Sequence, residues 1–145
     1  MMKRRISEIT VAALLIVIAS SVPGCGTNRA DLVDSGVVTI ERQAAGKVYV
    51  AWSRAHECED GLLITGVLRR SDRVGTPIKA HVDVTILSPD GHVIDTACSN
   101  EVYVPRGRTG QGRSMQRFRV QLPDIPPRGS SVRMVSHSGL HNDAT

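Results

Sequence analysis

The chain has 145 residues, 41% hydrophobic, 22% charged and 3% aromatic, with a formal net charge of +4. That length fits one domain, and the composition is globular, which excludes a disordered chain. Lys3, Arg4 and Arg5 against Glu8 account for half of the charge, so the remainder is too weakly basic to argue for nucleic acid.

The first residues, MMKRRISEITVAALLIVIASSVPG, place a basic stretch ahead of an apolar run from about Ile9 to Ile18, followed by small residues. This is the secretory signal layout. The run is roughly 10–14 residues, short of the ~20 that a helix needs to cross a bilayer. Arg4-Arg5 reads as n-region charge, since Ile6-Ser7-Glu8 fits the twin-arginine pattern poorly.

Val22-Pro23-Gly24-Cys25 resembles the bacterial lipobox, whose usual form is an aliphatic residue, a small residue, Gly or Ala, then Cys. Val22, Gly24 and Cys25 match, while Pro23 stands where a small residue is usual. The resemblance covers the first 25 or so residues only. It implies that the chain is a lipoprotein: the signal is cut ahead of Cys25, which becomes the lipid-bearing residue. One acyl chain binds membranes marginally, whereas two or three anchor stably. The protein is then expected to be lipid-anchored in the cell membrane, facing the periplasm or exterior. Gly26 stands where enteric-type inner-membrane lipoproteins carry Asp, which favours the outer membrane if the organism has two.

Residues 26–36, GTNRADLVDSG, read as a polar tether. The chain then shows short apolar runs separated by turn signals and no sustained helical period. Val37–Arg42, Lys47–Ser53 and Leu62–Arg70 are predicted strands. Ala80–Leu87 is the clearest, with Val82, Val84 and Ile86 alternating against His81, Asp83 and Thr85. Ser88-Pro89-Asp90-Gly91 predicts a turn, because Pro sets φ early and Gly accepts φ > 0 late. His92–Ala97 is then the returning strand of a hairpin. Met115–Leu122 alternates again, Pro123, Pro126 and Pro127 close it, and Ser131–His137 is the last strand.

About seven short strands with regular turns predict an all-β sandwich, antiparallel and similar to the small immunoglobulin-like domains of bacterial envelope proteins. Trp52 precedes both domain cysteines, and Thr96 stands where a tyrosine corner would sit, so the pattern is that of a sandwich without antibody hallmarks. The expected organisation is a signal peptide at 1–24 and a lipidated cysteine with tether at 25–36. A sandwich domain follows at 37–137, and a tail at 138–145.

Once Cys25 is lipidated, Cys58 and Cys98 are the only thiols left, and an oxidising envelope favours their pairing. The bond closes a loop of roughly 40 residues, worth about 4 kcal/mol in the chain-entropy estimate. Buried free thiols or a metal pair are the alternatives. His56, Glu57, Glu59 and Asp60 crowd metal-capable side chains around Cys58, and His137 and His141 lie near the C-terminus. Imidazole, thiolate and carboxylate suit a transition metal, although none of the recognised ligand spacings is present. His81 and Asp83 read as ordinary outward residues of a strand.

Arg106, Arg108, Arg113, Arg117, Arg119, Arg128 and Arg133 face only Asp124 across residues 105–133. The Gly-rich PRGRTGQGR is a loop of exposed guanidinium groups, suited to phosphates or carboxylates of lipids, lipopolysaccharide or cell-wall stems. Arg106, Arg108, Arg113, Arg117 and Arg119 are the candidate anion-binding residues; a solvated loop is the plainer reading. No G-x-S-x-G, H-E-x-x-H or P-loop is present, so no catalytic residue and no cofactor is assigned.

The sequence thus predicts a non-enzymatic binding or structural module. Its expected partners are the membrane and either another envelope protein or an anionic lipid or cell-wall component, not nucleic acid. It would make contact through strand edges or the Arg-rich loop. A metal-binding lipoprotein using His56–Asp60 and a hydrolase of envelope polymers are the two rivals.

Overall fold

The computed structural model describes residues 30–72, 75–106 and 115–139. These form eight strands: β1 (Val38–Ala45), β2 (Val48–Cys58), β3 (Gly61–Arg70), β4 (Ile78–Leu87), β5 (Val93–Cys98), β6 (Val102–Val104), β7 (Met115–Leu122) and β8 (Ser130–Ser138). The expected all-β sandwich is what forms. The seven predicted strands are all present, and the short β6 is the addition. The expected signal peptide and Cys25 lie outside the described residues, as does most of the tail. Among the described residues no helix is long and apolar enough to cross a membrane.

One sheet runs β2-β3-β7, and the other runs β1-β8-β4 with β5 and β6 both paired to β4. β5 takes residues 83–87 of β4 and β6 takes 78–80, so the two short strands share one edge end to end. All pairings are antiparallel except β1 with β8, whose parallel register runs from Val38 opposite Ser130 to Ala45 opposite His137. The first strand therefore closes the edge beside the last, departing from the all-antiparallel expectation. Gly46 then turns the chain across to the other sheet at φ +118°, where a Cβ would run into the Ser138 side chain.

Alternation along each strand fills the space between the sheets. Leu62, Ile64 and Leu68 of β3 and Phe118, Val120 and Leu122 of β7 meet Val82, Val84 and Ile86 of β4 and Val132 and Met134 of β8. Ser136 of β8, fully buried, donates its hydroxyl to the Val48 carbonyl of β2 at 2.8 Å, a polar link between the two sheets. The predicted turn forms: the Gly91 amide donates to the Ser88 carbonyl at 2.9 Å with Gly91 at φ +88°.

The domain begins earlier than expected. Leu32 is buried in the core, and its amide donates to the Ala55 carbonyl at 2.8 Å. The segment from Asp31 to Gly36 is therefore a docked turn rather than part of a free tether, because a leucine at position 32 finds apolar cover that the residues around it do not need.

Candidate functional site

The register of β2 slips between Val50 and Trp52, a bulge at Ala51. Val48 and Val50 face inward before it, and Ser53 and Ala55 face inward after it. One extra residue reverses the alternation, so Trp52, Arg54 and His56 come to the outer face of the sheet. Two cross-strand rows follow from the pairing. Trp52, Val67 and Arg117 form one, and Arg54, Thr65 and Arg119 form the next. Tyr49, Arg69 and Met115 form a third row beyond the bulge.

This face is basic and aromatic. The Arg54 guanidinium lies 5.2 Å from the Trp52 ring centroid, within cation–π range. Its Nε is 3.8 Å from Asp31 Oδ2, and it is the only one of the four face arginines with an acidic partner among the described residues. Arg69 instead reaches the Met115 sulfur at 3.1 Å. Two depressions flank the Trp52–Val67 pair. The larger, about 580 Å³, is lined by Trp52, Thr65, Val67, Arg117, Arg119 and Asn100, among others. The smaller, about 360 Å³, is lined by Ala51, Trp52, Val67, Arg69 and Met115.

Of the candidate anion-binding residues, Arg117 and Arg119 belong to this face. Arg106 is exposed just after β6, and Arg108 and Arg113 lie outside the described residues. Arg54, Arg69 and Trp52 were not singled out by the sequence, because only the bulge and the pairing bring them beside β7.

The expected Cys58–Cys98 disulfide does not form; both are free thiols. Cys58 ends β2 with its sulfur 3.0 Å from Gln121 Nε2, on the outer side of the three-stranded sheet. Cys98 stands opposite Asp83 on β5, on the outer side of the other sheet. Outward thiols on two sheets packed ~10 Å apart are beyond the reach of a disulfide. Burial first, and then hydrogen bonding to the Asp83 carboxylate, raises the Cys98 pKa to about 11. The thiol is therefore held protonated at neutral pH.

The proposed metal ligands around Cys58 do not converge either. His56 and Glu57 are successive strand residues and face opposite sides of the sheet, while Glu59 and Asp60 are exposed in the hairpin turn. Among the described residues, the metal-capable side chains that do converge are His81, Asp83 and His137. His81 points away from the core as expected but is only 3% exposed, and it stacks on the His137 ring at 5.1 Å with 12° between planes. His137 lies within β8 directly opposite His81 in register. His141 lies outside the described residues.

Compared with protein-family models, curated proteins and solved structures, the chain matches none.

Proposed function

We propose that this chain is a lipid-anchored cell-envelope protein whose non-enzymatic β-sandwich binds an anionic envelope component on the outer face of the β2-β3-β7 sheet. The observation that carries the reading is the set of four arginines, Arg54, Arg69, Arg117 and Arg119, around Trp52 with no acidic residue in the same cross-strand rows. Guanidinium groups suit phosphate and carboxylate oxygens bidentately, and the aromatic ring supplies an apolar floor beside them. The lipobox-like Val22–Cys25 supports the location, in which anionic lipid headgroups and cell-wall carboxylates lie within reach of a short tether. In the sequence, Arg106, Arg108 and Arg113 precede β7 and add to the chain's positive charge.

Trp52 is the chain's only tryptophan, so its fluorescence reports directly on this face. The full chain in neutral detergent micelles is titrated with phosphatidylglycerol and, separately, with phosphatidylcholine. A saturable shift with the anionic lipid alone is expected, weakening as salt rises. Each face arginine near an anionic surface contributes about 1 kcal/mol, so Arg117→Gln with Arg119→Gln weakens the response by about 30-fold. Equal response to both lipids, or no loss in the double variant, overturns the reading. The anchor is tested separately: the mature chain from membranes should begin at acylated Cys25, and Cys25→Ser should abolish acylation.

A further inference from the structure

We propose that His81, Asp83 and His137 form a binding site for a divalent transition-metal ion of the zinc type, on the outer face of the β1-β8-β4 sheet. The inference is independent of the anion-binding face, which lies on the other sheet.

Three features carry it. The first is convergence. His137 Nε2 lies 3.0 Å from Asp83 Oδ2 and His81 Nε2 lies 3.7 Å from Asp83 Oδ1, so both imidazoles present the same ring nitrogen to one carboxylate. All three ligand atoms lie within 4.8 Å of one another. A tetrahedral ion bound at about 2.0–2.1 Å needs ligand atoms separated by about 3.3 Å; the two imidazole–carboxylate distances are each within about 0.4 Å of that, and no pair exceeds it by more than about 1.5 Å.

The second is the rigidity of the frame. His81 and His137 are directly opposite in the β4–β8 ladder, and Asp83 is two residues along β4 on the same face. These positions are set by backbone hydrogen bonds of paired strands, so binding orders little that folding has not already ordered.

The third is access and chemistry. The His81 side chain is 4% exposed, whereas those of His137 and Asp83 are 30% and 37% exposed. One side of the triad is thus walled by protein and the other opens to solvent, which leaves room for a fourth ligand. Cys98, opposite Asp83 on β5, borders that opening with a sulfur donor. The neighbouring cation on the same face, Lys79, is already paired with Glu101 at 2.5 Å. Two imidazoles and one carboxylate are the donor set of borderline divalent ions, not of calcium or magnesium, which take oxygen ligands.

The test uses the full chain in neutral detergent micelles, freed of metal by chelation and titrated with cobalt(II) as a spectroscopic stand-in for zinc. The expected result is saturation at one cobalt per chain, with the intense visible d–d absorption of a four-coordinate site, and displacement by zinc. His137→Ala and Asp83→Asn, both at partly exposed positions, each weaken cobalt binding by about 100-fold or more, above the range that outer-shell changes produce. His56→Ala with Glu59→Ala leaves it unchanged. A parallel measurement removes doubt about folding: zinc raises the thermal midpoint of the wild-type chain and leaves that of His137→Ala where the chelator leaves it. Absence of saturable one-to-one binding overturns the proposal. So does binding that survives both ligand substitutions, or that is lost with His56.

Discussion

Replacing Cys25 and Cys58 by serine leaves Cys98 as the chain's single thiol, and its rate of reaction with an aromatic disulfide reagent then reads the environment of Asp83. With a pKa of about 11, roughly 0.1% of the thiol is ionised at pH 8, against about a quarter for an ordinary thiol of pKa about 8.5. The thiolate fraction alone slows the reaction by about 250-fold. A more basic thiolate is a better nucleophile, and a Brønsted slope of about 0.4–0.5 recovers roughly tenfold. The net expectation is a rate about 20-fold below that of glutathione at pH 8, with the gap closing at about pH 10. Asp83→Asn removes the carboxylate's part and leaves the part from burial, so its rate falls between the two. Stability follows the same titration. The folded thiol holds its proton more tightly than the unfolded one, so the contribution is complete below pH 9.0 and is lost as pH rises through about 11. A Cys98 that reacts as fast as glutathione at pH 8 refutes this reasoning. So does a wild-type chain in which Cys58 and Cys98 become reactive only after reduction.

Three other substitutions probe the fold that holds the two faces. A Cβ on Gly66 would lie 2.5 Å from the Trp52 carbonyl oxygen and 2.6 Å from the Phe118 ring; since the backbone oxygen cannot swing aside, Gly66→Ala costs about 1–3 kcal/mol in urea unfolding, and a change below about 0.5 kcal/mol contradicts the close approach. Ser136→Ala removes the link to the Val48 carbonyl and lowers stability by about 1–2 kcal/mol with the sheets unchanged by circular dichroism; a neutral result means that water replaces the hydroxyl. Asp72 is held below its ordinary value of 3.8, chiefly by hydrogen bonding to Arg70 and secondarily to Lys47. Its stabilising contribution is therefore complete above pH 3.8 and is lost as pH falls through the lower folded value. Asp72→Asn should be less stable than wild type at pH 7, with the difference vanishing in acid. A difference that persists unchanged at low pH would falsify the ion pair as its cause.

The strands were legible because each is a local pattern. Val82, Val84 and Ile86 against His81, Asp83 and Thr85 define a half-buried strand without reference to anything else in the chain, and Ser88–Gly91 defines the turn beside it. The three-residue β6 escaped because so short a run carries no period. Asp31–Gly36 escaped because polar residues outnumber Leu32, and nothing local tells that the leucine docks under Ala55. The candidate sites were less legible. Arg117 and Arg119 stood out as charges on an alternating strand, but Arg54, Arg69 and Trp52 lie in other segments, and the Cys58–Cys98 pairing rested on thiol count and compartment, while nothing local assigned the two to different sheets.

Composition and periodicity determined that this chain is all-β and gave most of its strands their inner faces, since which residues seek cover depends on the side chains of the strand itself. Cross-strand neighbours were decided only in three dimensions. Register is a non-local choice made by two strands at once, and a single extra residue at Ala51 turns Trp52 and Arg54 outward. The same physics sets His137 opposite His81 across a long stretch of chain and brings both to Asp83. A histidine read alone is a surface residue; two of them paired across a ladder, with a carboxylate between their ring nitrogens, are a place where a metal ion can sit.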